Sequence, residues 1–310
     1  MAGENVLVAV EGRRLQLSNL DKVLYPSDGF TKGEVIDYYS RVAPVLLPHL
    51  AGRPLTMRRY PDGVDGQSFY EKNAARHAPD WVRTVTVDTP GSSTGAETLD
   101  FAVVDDLPTL VWAAQMASLE LHIPQWTVGP RGGRNNPDRL VFDLDPGPPA
   151  TIVECCRVAL LLREKLRADG LEPVAKTSGS KGMQLYCTVT TTAPKQAWGY
   201  AKELAEQLAA EHPGLIVARM AKNLRPRKVF IDWSQNHEYK TTVAPYSLRA
   251  RERPTVSTPI TWAEVESCRE PGDLVFTADD VLDRVDEHGD LFKPLLRKKN
   301  PPKLTALKSR

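Results

Sequence analysis

An apolar run over residues 6–10, followed by the alternating Arg14-Leu15-Gln16-Leu17, predicts a β-hairpin over residues 6–17 that turns at Glu11-Gly12. Thr31-Lys32-Gly33-Glu34 has the form of a capping box and opens a helix whose apolar positions include Ile36, Tyr39 and Val42. Short strands follow near 54–60, 67–71 and 82–87. The pattern then gives a helix over 108–118, and Leu119-Glu120-Leu121-His122-Ile123 alternates as a strand does. Residues 128–139, rich in Gly, Pro and Asn, make a loop.

The next stretch is the most regular. Residues 140–145 read as a strand, and Thr151-Ile152-Val153-Glu154 caps a helix that runs to Asp169 and stops at Gly170. Strands over 172–177 and 183–189 flank the turn 178–182. Trp198, Ala201, Leu204, Ala205 and Leu208 mark an amphipathic helix that ends before Pro213-Gly214, and 215–219 is a strand again. The order is βαββαβ, the split arrangement of ferredoxin-like and RNA-recognition-like domains. A further strand over 228–233 adds to that sheet, two short helices occupy 261–288, and the chain from Lys293 onward is basic and poorly patterned. The expected class is α+β. Its divisions are an N-terminal α/β lobe over 1–127, a sheet-centred unit with C-terminal helices over 128–292, and a flexible basic tail over 293–310.

Composition changes this picture little. The chain has 310 residues, 41% hydrophobic and 25% charged, as in ordinary soluble globular proteins. A formal net charge of +1 argues neither for nor against a nucleic-acid partner, so only local clustering can. No apolar run approaches the roughly 18 residues of a membrane span, and the first residues lack a signal-peptide pattern, so a cytoplasmic location is the default expectation. Cys155, Cys156, Cys187 and Cys268 show no CxxC spacing and read as core thiols rather than as a zinc site or a disulfide framework.

The chemistry begins at Leu140-Val141-Phe142-Asp143-Leu144-Asp145. Strand alternation puts Leu140, Phe142 and Leu144 on one face and Asp143 with Asp145 on the other, about 6.6 Å apart along the strand. Carboxylates that close repel each other unless solvated or bridged by a cation, and Mg²⁺ or Mn²⁺ prefers such oxygen ligands. Asp232, inside the apolar strand Lys228-Val229-Phe230-Ile231-Asp232-Trp233, is a third candidate, and three aspartates can hold two metals. An Asp-x-Asp by itself is more often a strand running into a polar turn, and sugar-nucleotide transferases use it too. The βαββαβ context and Asp232 favour the metal reading.

Ser178-Gly179-Ser180-Lys181-Gly182 joins two strands. Its glycines let backbone amides approach an anion and Lys181 supplies charge, although the same residues suit a solvated hairpin equally well. It lacks the spacing and following helix of a P-loop. From Arg219 to Arg251 there are eight Lys or Arg residues against two acids, Asp232 and Glu238, a local excess suited to phosphates. Phe69 and Tyr70 follow Arg58 and Arg59, which suits base stacking, with core packing the commoner role for any single aromatic. His122, between Leu121 and Ile123, fits a half-buried structural histidine more readily than a ligand.

Taken together and in order, these motifs resemble the polymerase domain of bacterial DNA ligase D, in the archaeo-eukaryotic primase superfamily. The matching segments are Leu17-Ser18-Asn19-Leu20-Asp21-Lys22-Val23-Leu24-Tyr25-Pro26, Leu121-His122-Ile123-Pro124-Gln125-Trp126, 140–147, 177–182, 229–236 and Ala244-Pro245-Tyr246-Ser247-Leu248-Arg249. The resemblance implies a primase-polymerase fold with an RNA-recognition-like palm, and a polymerase that extends 3′ ends at gaps and double-strand breaks in non-homologous end joining. It implies that Asp143, Asp145 and Asp232 are catalytic and hold two divalent metals, Mn²⁺ or Mg²⁺. Ser178, Lys181 and Arg249, with His122 close by, would hold the phosphates of an NTP or dNTP, and ribonucleotides would be favoured. Arg225 and Gln235 match positions near the aspartates. Asn19, Lys22 and Lys32 match a pocket for a recessed 5′-phosphate, and Arg59, Phe69 and Tyr70 match template contacts. The implied partners are DNA with gaps or broken, 5′-phosphorylated ends, together with Ku and a DNA ligase, and no membrane.

The sequence departs from this family at Gln184, where the second motif ordinarily carries a phosphate-binding histidine. Glutamine can donate a hydrogen bond but carries no charge. The paired phenylalanines of the family are Phe69 and Tyr70 here, a milder change. The competing readings are a DNA-end-binding scaffold with a weakened active site, and a primase that needs no primer.

Overall fold

Residues 5–73, 78–89, 97–129, 132–297 and 299–305 are described by the computed structural model. The chain divides into two compact units. One comprises 1–135, 243–256 and 276–289, and the other comprises 136–242, 257–275 and 290–310.

In the first unit, β1 (Asn5–Val10) and β2 (Arg13–Ser18) form the predicted hairpin, with Glu11 and Gly12 at positive φ in its turn. After β3 (Val23–Tyr25) and β4 (Phe30–Thr31) comes α1 (Lys32–Leu50). Its capping box forms: the Glu34 N–H donates to the Thr31 hydroxyl at 3.2 Å, and the Thr31 N–H donates to the Glu34 carboxylate at 2.7 Å. The apolar face of α1, including Val35, Tyr39, Val42 and Leu46, enters the core of this unit. The chain continues through β5 (Thr56–Arg59), β6 (Phe69–Glu71), β7 (Thr84–Asp88), β8 (Thr98–Ala102), α2 (Leu107–Gln115) and β9 (Ser118–Ile123). Strands β9, β5 and β6 pair antiparallel in that order. β8, which the sequence pattern does not announce, pairs with β7. The two bury Val85, Val87, Leu99 and Phe101 in a small cluster with Val103, Trp126 and Val128.

The second unit contains the expected βαββαβ series: β10 (Arg139–Pro146), α3 (Ile152–Ala168), β11 (Val174–Thr177), β12 (Met183–Thr188), α4 (Gln196–Glu211) and β13 (Ile216–Val217). The added strand, β14 (Val229–Asp232), does not extend an edge. It inserts between β10 and β13, antiparallel to the former and parallel to the latter. Local patterning announces that a strand exists but not its neighbours. Partner choice follows from which faces are buried. The returning chain adds β15 (Thr242–Val243) beside β9 and β16 (Pro259–Ile260) beside β11, followed by α5 (Trp262–Ser267) and α6 (Ala278–His288). Among the described residues the central sheet has six strands, ordered β13-β14-β10-β12-β11-β16.

Leu140, Phe142 and Leu144 are fully buried on one face of β10, with α3 and α4 packed against the strand. The four cysteines are buried and free. In the C-terminal stretch, expected to be flexible, Leu295 and Leu304 are buried. The Thr190 N–H donates to the Pro302 carbonyl at 2.7 Å, and the Leu304 N–H to the Thr190 carbonyl at 3.0 Å. Residues 306–310 lie outside the described residues. No helix among the described residues is long and apolar enough to cross a membrane.

Candidate active site

Register decides what stands beside Asp143. On one side β12 places Gln184 directly opposite it, and on the other β14 places Asp232 opposite it. β11 in turn places Lys176 opposite Gln184. Directly paired residues share a sheet face, so Lys176, Gln184, Asp143 and Asp232 form one row across four strands. Asp145 lies two residues further along the same face. The other half of this face is closed by Val141, Tyr186, Phe292 and Leu295, which confines the polar groups to the carboxylate end.

The carboxyl of Asp143 is pushed well above the usual carboxylate range. Burial is the main cause, followed by the charge of Asp145. A hydrogen bond from Gln184 works against both, Asp232 adds to the upward push, and the Lys176 ammonium opposes it. Asp145 is also raised, by burial and then by Asp232, with Arg225 opposing. Asp232 is turned to its own 3-10 turn, Trp233–Asn236. Its carboxylate accepts from the Ser234 N–H at 3.0 Å, the Ser234 hydroxyl at 2.5 Å and the Gln235 amide at 2.9 Å. Among the described residues, no three His, Cys, Asp or Glu side chains are gathered closely enough to hold a metal ion as they stand. The donor set nevertheless fits a hard divalent cation. It consists of oxygen ligands alone, and Asp143 and Asp145 are both made harder to ionise by their acidic neighbours, an excess of negative charge that a cation relieves.

Residues without an announced role hold this row together. Asn236, 1% exposed, accepts from the Val141 N–H at 2.8 Å and donates to the Val141 carbonyl at 2.6 Å, pinning the turn after Asp232 to β10. The Tyr186 hydroxyl lies 3.0 Å from the Gln184 amide oxygen and 2.8 Å from the Thr242 hydroxyl, which leaves the amide NH₂ of Gln184 for Asp143. Lys176 is fully buried, 2.5 Å from the Ser257 hydroxyl and 5.7 Å from the centre of the Tyr186 ring. Gln235 touches Asp232 directly. Arg225 lies over the Phe230 ring at 3.9 Å and donates to the Met220 carbonyl at 2.9 Å.

The turn after β11 closes on the hydroxyl of its own first serine. The backbone N–H groups of Ser180 and Gly182 both point to the Ser178 hydroxyl at 3.2 Å, with Gly179 at positive φ and Lys181 exposed. Gly182 passes so close to the Leu144 carbonyl that a Cβ would overlap it, so the turn is held against the carboxylate strand. Gly147, at the end of Asp143-Leu144-Asp145-Pro146-Gly147, meets the Arg225 carbonyl in the same way.

The remaining predicted residues belong to the first unit. His122 and Arg249 both face Glu120, at 2.9 and 3.2 Å. Arg59 pairs with Glu71 at 2.7 Å and lies over Phe69 at 5.2 Å, while Arg58 lies over Tyr70 at 5.3 Å. Phe69 and Tyr70 are 44% and 57% exposed, unusual for large aromatics and consistent with a stacking surface. Asn19, at positive φ, and Lys22 belong to a turn bonded to the start of α1, where Lys32 sits. Lys22 pairs with Asp62 at 2.8 Å. Lys32 is 7% exposed and donates to the Ser18 carbonyl at 2.8 Å. Burial, and then the charges of Lys22 and Arg59, lower its pKa to about 8.

The fold is that of a primase-polymerase domain. The polymerase domain of Mycobacterium tuberculosis ligase D, solved in complex with DNA, superposes with a TM-score of 0.85 at 42% identity, covering 93% of this chain and 99% of that one. Residues 31–292 match the family described as LigD, primase-polymerase domain, and the chain belongs to that family. The multifunctional non-homologous end joining protein LigD of Mycolicibacterium smegmatis is 44% identical over 91% of this chain. The bifunctional LigD of Bacillus subtilis is 33% identical over 95% of it. The chain spans 36% and 46% of the lengths of those two proteins.

Proposed function

We propose that this chain is a DNA-repair nucleotidyltransferase that extends the 3′ ends of gapped or broken DNA with NTPs or dNTPs during non-homologous end joining. The observation that carries this reading is the placement of Asp143 directly across from Asp232, with Asp145 on the same strand face, within this family's fold.

Asp143, Asp145 and Asp232 would hold the divalent cations, Mn²⁺ or Mg²⁺. When bound, these lower the pKa of an attacking hydroxyl and neutralise charge on the departing pyrophosphate. Asn236 and Gln184 keep two of the carboxylates oriented. Ser178 and Lys181, on the turn after β11, receive nucleotide phosphate oxygens. Gln235 and Arg225 act beside the aspartates, and Arg249 and His122 contact nucleotide phosphates. Asn19, Lys22 and Lys32 take a 5′-phosphate, and Arg59, Phe69 and Tyr70 contact the template. DNA ends are the expected partner, with Ku and a DNA ligase as further ones.

Primer extension on a gapped, 5′-phosphorylated duplex with Mn²⁺ and each nucleotide separately tests the proposal. Incorporation that Asp143→Ala abolishes supports it. No incorporation under any condition favours the second reading, a DNA-end-binding scaffold, for which Gln184 in place of the family's charged-capable histidine is the specific motive.

A further inference from the structure

The first unit buries a carboxylate that the proposed chemistry leaves without a task. Glu120 is 1% exposed, in the middle of β9, whose six residues are all buried. An ionised carboxylate in such a place is tolerated only when it is paired. Here each oxygen has two partners. Oε1 accepts from the Ala250 N–H at 3.2 Å and lies 3.2 Å from Nε of Arg249. Oε2 lies 2.9 Å from Nε2 of His122 and 3.4 Å from a terminal nitrogen of Arg58.

Three separate parts of the chain supply these partners. Arg58 comes from β5, in register directly opposite Glu120. His122 stands two residues along β9, on the same face. Arg249 comes from the segment that returns to this unit, where its carbonyl accepts from the Tyr25 hydroxyl at 3.0 Å and its N–H donates to the Thr255 carbonyl at 2.8 Å. Glu120 thus fixes the backbone beside Arg249 as well as the orientation of its guanidinium. Burial alone would raise the Glu120 carboxyl. The bond from His122 and the charges of Arg249 and Arg58 outweigh it and hold that carboxyl well below the usual range.

We propose that Glu120 is a positioning residue for the incoming nucleotide, holding the guanidiniums of Arg58 and Arg249, with the His122 ring beside them, in one preorganised arrangement for its phosphates. Without the carboxylate the two guanidiniums repel each other, His122 loses its partner, and the three groups spread before substrate arrives. With it, they keep one geometry, and the cost of ordering them is met during folding rather than on binding. The proposal rests on the reading that Arg249 and His122 contact nucleotide phosphates.

The test measures KM and kcat for ATP on the gapped duplex, and equilibrium binding of ATP in Mn²⁺ by calorimetry, for the full chain and its variants. Glu120→Gln keeps the shape and removes the charge. It is expected to weaken ATP affinity and raise KM by about tenfold, with kcat changed much less. Combined with Arg249→Lys, it should add little to the effect of Arg249→Lys alone, because both act through one contact. Unchanged KM and affinity in Glu120→Gln, with Arg249→Lys still raising KM, would overturn the proposal and leave the nucleotide reading standing. Unchanged KM in both Arg249→Lys and His122→Gln would overturn that reading, and the proposal with it. If Glu120→Gln does not fold, Glu120→Asp, which keeps the charge but shortens the reach, decides: weakened ATP binding supports the proposal and unchanged binding overturns it.

Discussion

Asp143 and Glu120 are both acids on strands flanked by neighbours on each side, one in each unit, and burial pushes both carboxyls upward. Their surroundings then send them in opposite directions. Around Asp143 the sheet gathers more acid, Asp145 beside it and Asp232 across from it, and the carboxyl stays raised. Around Glu120 the fold gathers His122, Arg249 and Arg58, and the carboxyl falls well below its ordinary range. The surroundings of Asp143 carry more negative than positive charge and suit a cation from solution. The surroundings of Glu120 match the buried acid from within. A carboxylate withdrawn from water is therefore informative only together with its partners, and the unmatched one is the candidate for chemistry.

The largest expected effect breaks the unmatched side. Asp143→Ala or Asp145→Ala should lower extension by about a thousandfold or more, since the charge that organises the transition state is lost. Binding to the same gapped duplex should remain measurable by mobility shift. Substantial extension by either variant would remove the carboxylates from the reaction.

A smaller loss is expected at the anion-binding turn of the same unit. Lys181→Ala should raise KM for the nucleotide about tenfold, as a charged hydrogen bond contributes about 1.5–3 kcal/mol. Steady-state extension across nucleotide concentrations reads this directly, and an unchanged KM would reassign the turn to a purely structural role.

Lys32 extends the comparison to a buried cation among cations. With its pKa lowered to about 8, it is charged at pH 7 and loses its proton as pH rises through that value. The preference for a 5′-phosphorylated over an unphosphorylated gap should therefore weaken a few-fold between about pH 7 and pH 9. Lys32→Gln should flatten the profile. A preference that holds steady across that range would separate Lys32 from the 5′-phosphate.

The smallest effects are on stability without added metal, and here the two acids should differ in sign. Asp143 has a folded-state pKa above its unfolded value. Its cost to stability is therefore fully present above the folded value and disappears as pH falls toward the unfolded one. Asp143→Asn should raise the melting temperature by about 2–4 °C near pH 8, and by progressively less toward pH 4. Glu120 has a folded-state pKa below its unfolded value. It contributes stability above the usual carboxylate range and loses it as pH falls below that range, so Glu120→Gln should lower the melting temperature at neutral pH. Thermal melts of both variants across pH would show whether the contrast holds.

Much of the candidate site was legible, as candidate residues, before the structure. Asp143-Leu144-Asp145, Ser178-Gly179-Ser180-Lys181-Gly182 and Asp232 each combine a distinctive residue type with a strand or turn pattern, although the place of Asp232 opposite Asp143 depends on strand pairing. Asn236, Lys176 and Tyr186 were not legible as site residues. Each takes its meaning from a partner on another element: Val141 for Asn236, Ser257 for Lys176, and Gln184 with Thr242 for Tyr186. Glu120 did leave a trace, as a charged residue within the apolar Ser118-Leu119-Glu120-Leu121-His122-Ile123. That trace said only that compensation must exist, not where it comes from.

Local sequence pattern set most of the elements and pointed to candidate chemistry on them. Periodicity set the hairpin, the capped helices and the βαββαβ order, and short-range alternation put Asp143 and Asp145 on one face. Tertiary structure alone decided which strands became neighbours. It inserted β14 between β10 and β13 so that Asp232 faces Asp143, and it returned residues 243–256 to the first unit so that Ala250 bonds Glu120 across 130 positions of sequence. The physical reason is range. Backbone propensity and side-chain alternation act over a few residues. Strand partnership and charge compensation depend on the burial of whole faces, which no local stretch of the chain can express.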